Sequence, residues 1–173
     1  IGLEIGSISL YALAGLNRGD KLSNEASLKY FLLGSLASCI LIYGVSLVYV
    51  SFSVFSVYNF ALGIAYVGPD SVPLTTSIGV LLIFIGLLFK IAAAPFQSWA
   101  PDVYQGSPTG YVGFMSSIAK VSSFIVIARL CLVSINFIIE DFNIFFLIVI
   151  ISSALVGSLF ASIQEDLKRL LAY

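Results

Sequence analysis

The sequence predicts an all-α, polytopic transmembrane helix bundle with about five spanning helices and the start of a sixth, and three observations predict it. Hydrophobic residues make up 60% of the 173-residue chain and charged residues only 10%, whereas a soluble domain is about a quarter charged. Mean hydropathy is +1.08. The apolar residues come in long unbroken runs rather than the alternating strands of a closed barrel, which leaves helices as the spanning element.

The first helix covers residues 1–16 and carries Glu4, and residues 17–24 form a polar loop. Ser23 or Asn24 is suited to cap the second helix, with Glu25 in its first turn and an apolar run to Ser51. The apolar part of residues 52–73 is shorter than the roughly 20 residues a span needs. With Gly68, Pro69, Asp70 and Pro73 after it, it reads as a short interfacial helix and loop. A third helix over residues 74–94 is stopped by Pro95, and residues 95–107 read as a loop. Ser107 is placed to cap the fourth helix, with Pro108 at its first position, and that helix reaches about Leu132. A short loop to Asp141, a fifth helix over residues 142–163, a polar stretch over 164–169 and a sixth helix opening at Leu170 complete the reading. The whole of residues 1–173 forms one transmembrane domain. It starts at Ile1 inside an apolar helix, without an initiator Met, so it reads as an internal piece of something longer. If residues 52–73 do not cross, then Arg18, Lys21, Lys168, Arg169 and the 95–107 loop all face one side, as the positive-inside rule requires.

Several function classes drop out. A net charge of −1 without a basic run argues against a nucleic-acid partner. Cys39 and Cys131 each stand alone in an apolar helix, as small buried hydrophobes do. There is no Gly-rich phosphate loop, no metal-ligand cluster and no nucleophile–base arrangement, so no metal or cofactor is expected. With no histidine in the chain, proton traffic would use Lys, Glu, Asp, hydroxyls and water.

Four ionisable residues lie within apolar helices: Glu4, Lys29, Lys90 and Lys120. At about 1.5 Å per residue, Lys120 lies roughly 18 Å past Pro108 and Glu4 roughly 20 Å from Asn17. Lys29 is roughly 9 Å past Ser23, and Lys90 is shallow unless the helix is interrupted near Ala92 to Ala94. Charges at such depth face a bundle interior or a hydrated path. A lysine loses proton affinity in a poorly solvated site and regains it beside a carboxylate, so a movable carboxylate can load and unload it. The plainer readings stand beside this one. Lys29 follows Glu25 by four residues, the spacing of a helical ion pair, and Lys29, Lys90 and Arg129 are long enough to snorkel. The Gly2-x-x-x-Gly6 spacing resembles a close-packing motif.

The run FKIAAAPFQSWAPDVYQGSPT, with LYALAGLNRGDKLSNEASLKYFLLGSLAS before it and DLKRLLAY after it, resembles the antiporter-like subunits of respiratory complex I. EASLKYFLLG narrows the resemblance to the subunit 2, or subunit N, branch. It covers nearly the whole chain, most weakly at residues 52–73 and 133–146, and corresponds to the middle of such a subunit. The resemblance implies a proton-translocating part of NADH:quinone oxidoreductase with no redox cofactor of its own, and contact with quinone only indirectly. It also implies a broken third helix, Glu4 with Lys90 as a tunable pair, Lys29 as an adjoining relay site and Lys120 as the central one. The implied partners are the other membrane-arm subunits, neighbouring antiporter-like subunits among them, and lipids. Phe- and Ile-rich composition suggests the mitochondrial inner membrane, with the bacterial plasma membrane as the alternative. Gln97 stands where the family often has histidine. Two rivals share the helix-and-lysine plan: a subunit of a multisubunit cation/proton antiporter, and a non-pumping structural spacer.

Overall fold

The computed structural model describes residues 2–68, 71–134 and 142–173, and among them every regular element is helical. The helices are α1 (Gly2–Ala14), α2 (Lys21–Phe52), α3 (Val57–Val67), α4 (Leu74–Ile91), α5 (Ala100–Gly106), α6 (Thr109–Phe114), α7 (Lys120–Arg129), α8 (Asn143–Ile163) and α9 (Leu167–Leu170). A 3₁₀ turn at Phe96–Trp99 joins α4 to α5, a π turn at Met115–Ala119 makes α6 and α7 one continuous rod, and a second at Leu130–Ser134 extends it. Four stretches are long and apolar enough to cross a membrane: Lys21–Phe52, Leu74–Gly106, Thr109–Val133 and Asn143–Ile163; α1 and α3 are shorter apolar helices. The polytopic bundle expected from composition is therefore present. The expected loop to Asp141 lies outside the described residues.

Helix α2 is the spine. At 32 residues it is roughly 48 Å long, and α1, α4 and α5 pack along it. It starts at Lys21, capped by Asp20, whose carboxylate accepts from Leu22 N–H. The cap is thus neither Ser23 nor Asn24. Ser23 Oγ instead donates to Ala14 O across the loop at 2.9 Å. Ser27 Oγ donates to Tyr11 O, and the Tyr111 hydroxyl to Leu10 O at 2.6 Å. The last turn of α1 leaves carbonyls without helical donors, and Ser23 and Ser27 supply two of them, while Tyr111 adds a bond to Leu10 O just before that turn.

Residues 95–107 do not form a loop. Ala92 takes a left-handed conformation (φ 58°), Ala94–Pro95 is cis, and the chain re-enters a helix that runs antiparallel to α2. Trp99 stacks on Tyr30 of α2, and Gly106 lies against Leu22 O and Ala26. The fourth expected helix begins with Pro108 at its cap; Ser107 ends α5 in extended backbone and does not cap α6. Apolar packing falls into two groups. One joins Leu10, Tyr30, Trp99, Val103, Tyr104 and Met115 around α5. The other joins Val48, Phe60, Ile64, Val80 and Phe84 at the far end of α2, where α3 lies.

The basic residues gather at one end. Lys168 Nζ donates to Ser107 O at 2.9 Å, and Ser107 follows Gly106, which touches Leu22 at the start of α2. Lys168 and residue 107, expected on one side from charge alone, thus lie together, with the end of α5 in place of a loop.

Candidate functional site

A helix broken inside the bundle has backbone groups to satisfy. Here α4 ends when Ala92 N–H bonds Phe89 O and Ala93 N–H bonds Leu88 O. Beyond it, Ala94 N–H donates to Ser153 Oγ of α8 at 3.0 Å, Ser152 Oγ donates to Ala94 O, and Trp99 Nε1–H donates to Phe89 O at 3.1 Å. The interruption sits directly after Lys90, in the last turn of α4, where the carbonyl end of the helix favours a cation.

Lys90 Nζ lies 2.9 Å from Glu4 Oε1 of α1, and Lys90 keeps only 10% of its side-chain surface exposed. It donates to Ser7 Oγ at 2.8 Å. Ser38 Oγ of α2 donates to the other carboxylate oxygen, Glu4 Oε2. Three helices therefore meet on one partly buried ion pair. Lys90 opens on a cavity of about 400 Å³ between α1 and the α6–α7 rod, lined also by Ser7, Tyr30, Ala119, Ser122 and Ser123. Such a space, with hydroxyls and an ammonium on its walls, has room for several waters.

Lys120 opens α7 next to that wall, one residue after Ala119. Its ammonium lies 5.5 Å from the ring centroid of Tyr104, within cation–π range. Among the described residues it has no carboxylate partner, unlike Lys90 and Lys29.

Lys29 belongs to a separate network. Its Nζ lies 2.7 Å from Glu25 Oε1, the i,i+4 pair expected from spacing, and 2.8 Å from Asp102 Oδ2 of α5. Asp102 Oδ1 in turn accepts from Arg169 Nη1 of α9 at 3.1 Å, and the same nitrogen donates to Gln105 Oε1. Lys29 is 41% exposed and Asp102 36%. Of the four residues singled out from sequence, the structure joins Glu4 to Lys90, sets Lys120 across the cavity wall from them, and holds Lys29 in this second group.

Sequence reasoning missed Asp102 as an ionic partner and Ser7, Ser38 and Tyr104 as neighbours of the charges. Asp102 is a charged residue inside an otherwise apolar helical stretch, which was a usable signal. The serines and the tyrosine were not distinguishable from the many others. Gln97 borders a small cavity of about 80 Å³ with Ser153 and Tyr173, and its Oε1 is buried without a hydrogen-bond partner. Among the described residues no group of His, Cys, Asp or Glu is arranged to hold a metal ion.

Known proteins share this sequence and arrangement. The chain is 43% identical over its whole length to NADH-quinone oxidoreductase subunit N of Trichlorobacter lovleyi, covering 35% of that protein. It is 40% identical to subunit N of Halorhodospira halophila, again covering 35%. It thus spans about a third of the length of these curated relatives. Among solved structures, a chain of respiratory complex I from Thermus thermophilus superposes with a TM-score of 0.79 at 37% identity, over 99% of this chain and 35% of that one. A chain of the Mrp complex from Dietzia sp. shares the fold, with a TM-score of 0.83 at 21% identity, over 98% of this chain and 31% of that one. Residues 1–173 match one family along their entire length, and the chain belongs to it: the NADH:quinone oxidoreductase/Mrp antiporter transmembrane family.

Proposed function

We propose that this chain forms part of a proton-translocating membrane subunit of NADH:quinone oxidoreductase, of the subunit N (subunit 2) type. In this reading Glu4, Lys90 and Lys120 pass protons driven by quinone reduction elsewhere in the complex, and Lys29 is an adjoining relay site. Its partners are neighbouring membrane-arm subunits, other antiporter-like subunits among them, and lipids; quinone is reached only through the rest of the complex. The bacterial relatives favour the bacterial plasma membrane over the mitochondrial inner membrane, for which the Phe- and Ile-rich composition speaks.

The observation that carries the reading is the Glu4–Lys90 pair: two opposite charges from different helices, at a helix break, with Lys90 on the wall of a cavity that reaches the start of α7. Separating a lysine from its carboxylate in poorly solvated surroundings lowers its hold on a proton, and closing the pair restores it. The cavity and its hydroxyls give the released proton a route toward Lys120. In liposomes containing the assembled complex, Lys120→Ala should abolish most NADH-driven proton pumping while the complex still assembles. Normal pumping in that variant would sink the relay. Sodium-dependent transport without an NADH dehydrogenase partner would favour the antiporter rival, and full pumping with Glu4 and all three lysines neutralised would favour a spacer.

A further inference from the structure

Two serines beside the ion pair are oriented in opposite senses. Ser7 commits its hydroxyl hydrogen to Leu3 O at 2.8 Å, so the oxygen it turns to Lys90 Nζ is an acceptor. Ser38 does the reverse, donating its hydrogen to Glu4 Oε2. One hydroxyl is thus set for a cation and the other for an anion. Both serines are 8% exposed. Tyr11, 7% exposed, lies with its phenol beside both. Its hydroxyl fills a notch left by Gly34, where a Cβ would stand 2.3 Å away.

We propose that Ser7 and Ser38 are positioning residues that let the Glu4–Lys90 pair open: each charge keeps a correctly oriented hydroxyl when its ionic partner moves away. The inference rests on the proton-relay reading above. An ion pair in a poorly solvated site opens only at the cost of leaving two bare charges. A hydrogen bond to a charged group recovers part of that cost. Because Ser7 and Glu4 are both on α1 while Ser38 is on α2 and Lys90 on α4, a shift of α4 would take Lys90 from both; a swing of the Glu4 side chain toward Ser38 instead lengthens the ion pair and leaves Lys90 on Ser7 and Glu4 on Ser38. The other titratable groups beside this pair are Tyr11 on α1, next to Ser7 and Ser38, and Tyr30 on α2, which shares the cavity wall with Lys90, and neither is a carboxylate.

The test is the pH profile of NADH-driven proton pumping by the assembled complex in liposomes. Ser38→Ala removes a donor to the carboxylate, which should move the acid limb up by about one pH unit. Ser7→Ala removes an acceptor from the ammonium, which should move the alkaline limb down by about the same amount. Ser38→Thr and Ser7→Thr keep the hydroxyls and should restore both limbs. If an alanine variant fails to assemble, the cysteine variants, closer in volume and weaker in hydrogen bonding, are read by the same profile. A uniform loss of rate with both limbs in place would reduce the serines to packing, and an unchanged profile would overturn the proposal. Glu4→Gln and Lys90→Met separate the two levels. If these pump normally, the relay itself falls and takes the proposal with it. If they are inactive while the serine variants match the parent protein, only the positioning role falls.

Discussion

Replacing Gly44 with alanine should force α2 and α4 apart. The two helices meet there with no side chain between them. A Cβ on Gly44 would stand 2.6 Å from Gly79 O and 2.8 Å from Ile83 N, both backbone atoms, where ordinary contact begins at 3.4 Å. Backbone cannot rotate away, so the helices would have to part by about 0.8 Å, with loss of dispersion along the interface. Overpacking of this kind costs about 1–3 kcal/mol, against which a Gly-to-Ala change inside a helix returns up to about 1 kcal/mol. Lipid offers the parted faces an equally apolar environment, so packing is the term that holds them together. Gly113→Ala is the control, since a Cβ there meets nothing within 4 Å. Thermal or SDS unfolding of the assembled subunit should place Gly44→Ala about 1–3 kcal/mol below Gly113→Ala. Adding Gly79→Ala should then cost less than it does alone, because the helices have already separated. A Gly44→Ala protein as stable as the Gly113→Ala control would refute the argument.

Other sites give sharper tests of the broken helix and of the second charge network. Trp99→Phe keeps a ring against Tyr30 and Phe89 but loses the bond to Phe89 O, for about 1 kcal/mol of thermal stability; Trp99→Ala should cost about 3–5 kcal/mol. Equal losses would mean that stacking does not hold the break. Ser153→Ala removes the acceptor of Ala94 N–H and should cost about 1–3 kcal/mol, while Ser158→Ala, on the exposed side of the same helix, should be neutral. Asp102→Asn and Lys29→Ala act on one contact, so the double variant should lose no more pumping than the worse single one; additive losses would place Lys29 outside the network.

Much of the bundle was legible because it follows from composition and punctuation. The apolar runs, the shortness of the apolar part of residues 52–73 and the grouping of Arg18, Lys21, Lys168 and Arg169 in the polar stretches indicate the spans without tertiary information. What failed was local. Ser23, Ser107 and Asp20 are all competent caps, and only the neighbouring helix decides that Ser23 turns to Ala14 O, leaving Asp20 to cap α2. Pro95 and Pro101 suggested a loop, yet Pro101 sits in the first turn of α5, where its missing N–H is harmless. The spacing Gly2-x-x-x-Gly6 resembled a packing motif, but a Cβ on either glycine would touch nothing within 4 Å; the close approaches are at Gly15, Gly34, Gly44, Gly63, Gly79, Gly86 and Gly106. Those glycines follow no shared period, because each answers a neighbour on another helix. The charged residues stood out by their rarity in an apolar chain. Their partners are distant in sequence, Lys90 from Glu4 and Lys29 from Asp102, so the pairing itself could not be read from spacing.

The break in the third span explains why those pairings exist at all. An uninterrupted helix would commit the carbonyls of Leu88 and Phe89 to ordinary i+4 donors and carry the chain straight past α1. Ending α4 at Ile91 instead sets Lys90 in a last turn, where the ammonium meets the carbonyl end of the helix dipole as well as Glu4. The cost of breaking a helix in hydrocarbon is the exposed backbone, and the groups that answer it come from Trp99 and from Ser152 and Ser153 of α8. Helix α8 carries no charge of its own, yet it stabilises the geometry on which Lys90 depends. Asp102 lies just beyond the break, on the half-helix that the break redirects along α2, and there it meets Lys29. A single interruption thus positions one lysine at its near side and the carboxylate partner of another at its far side.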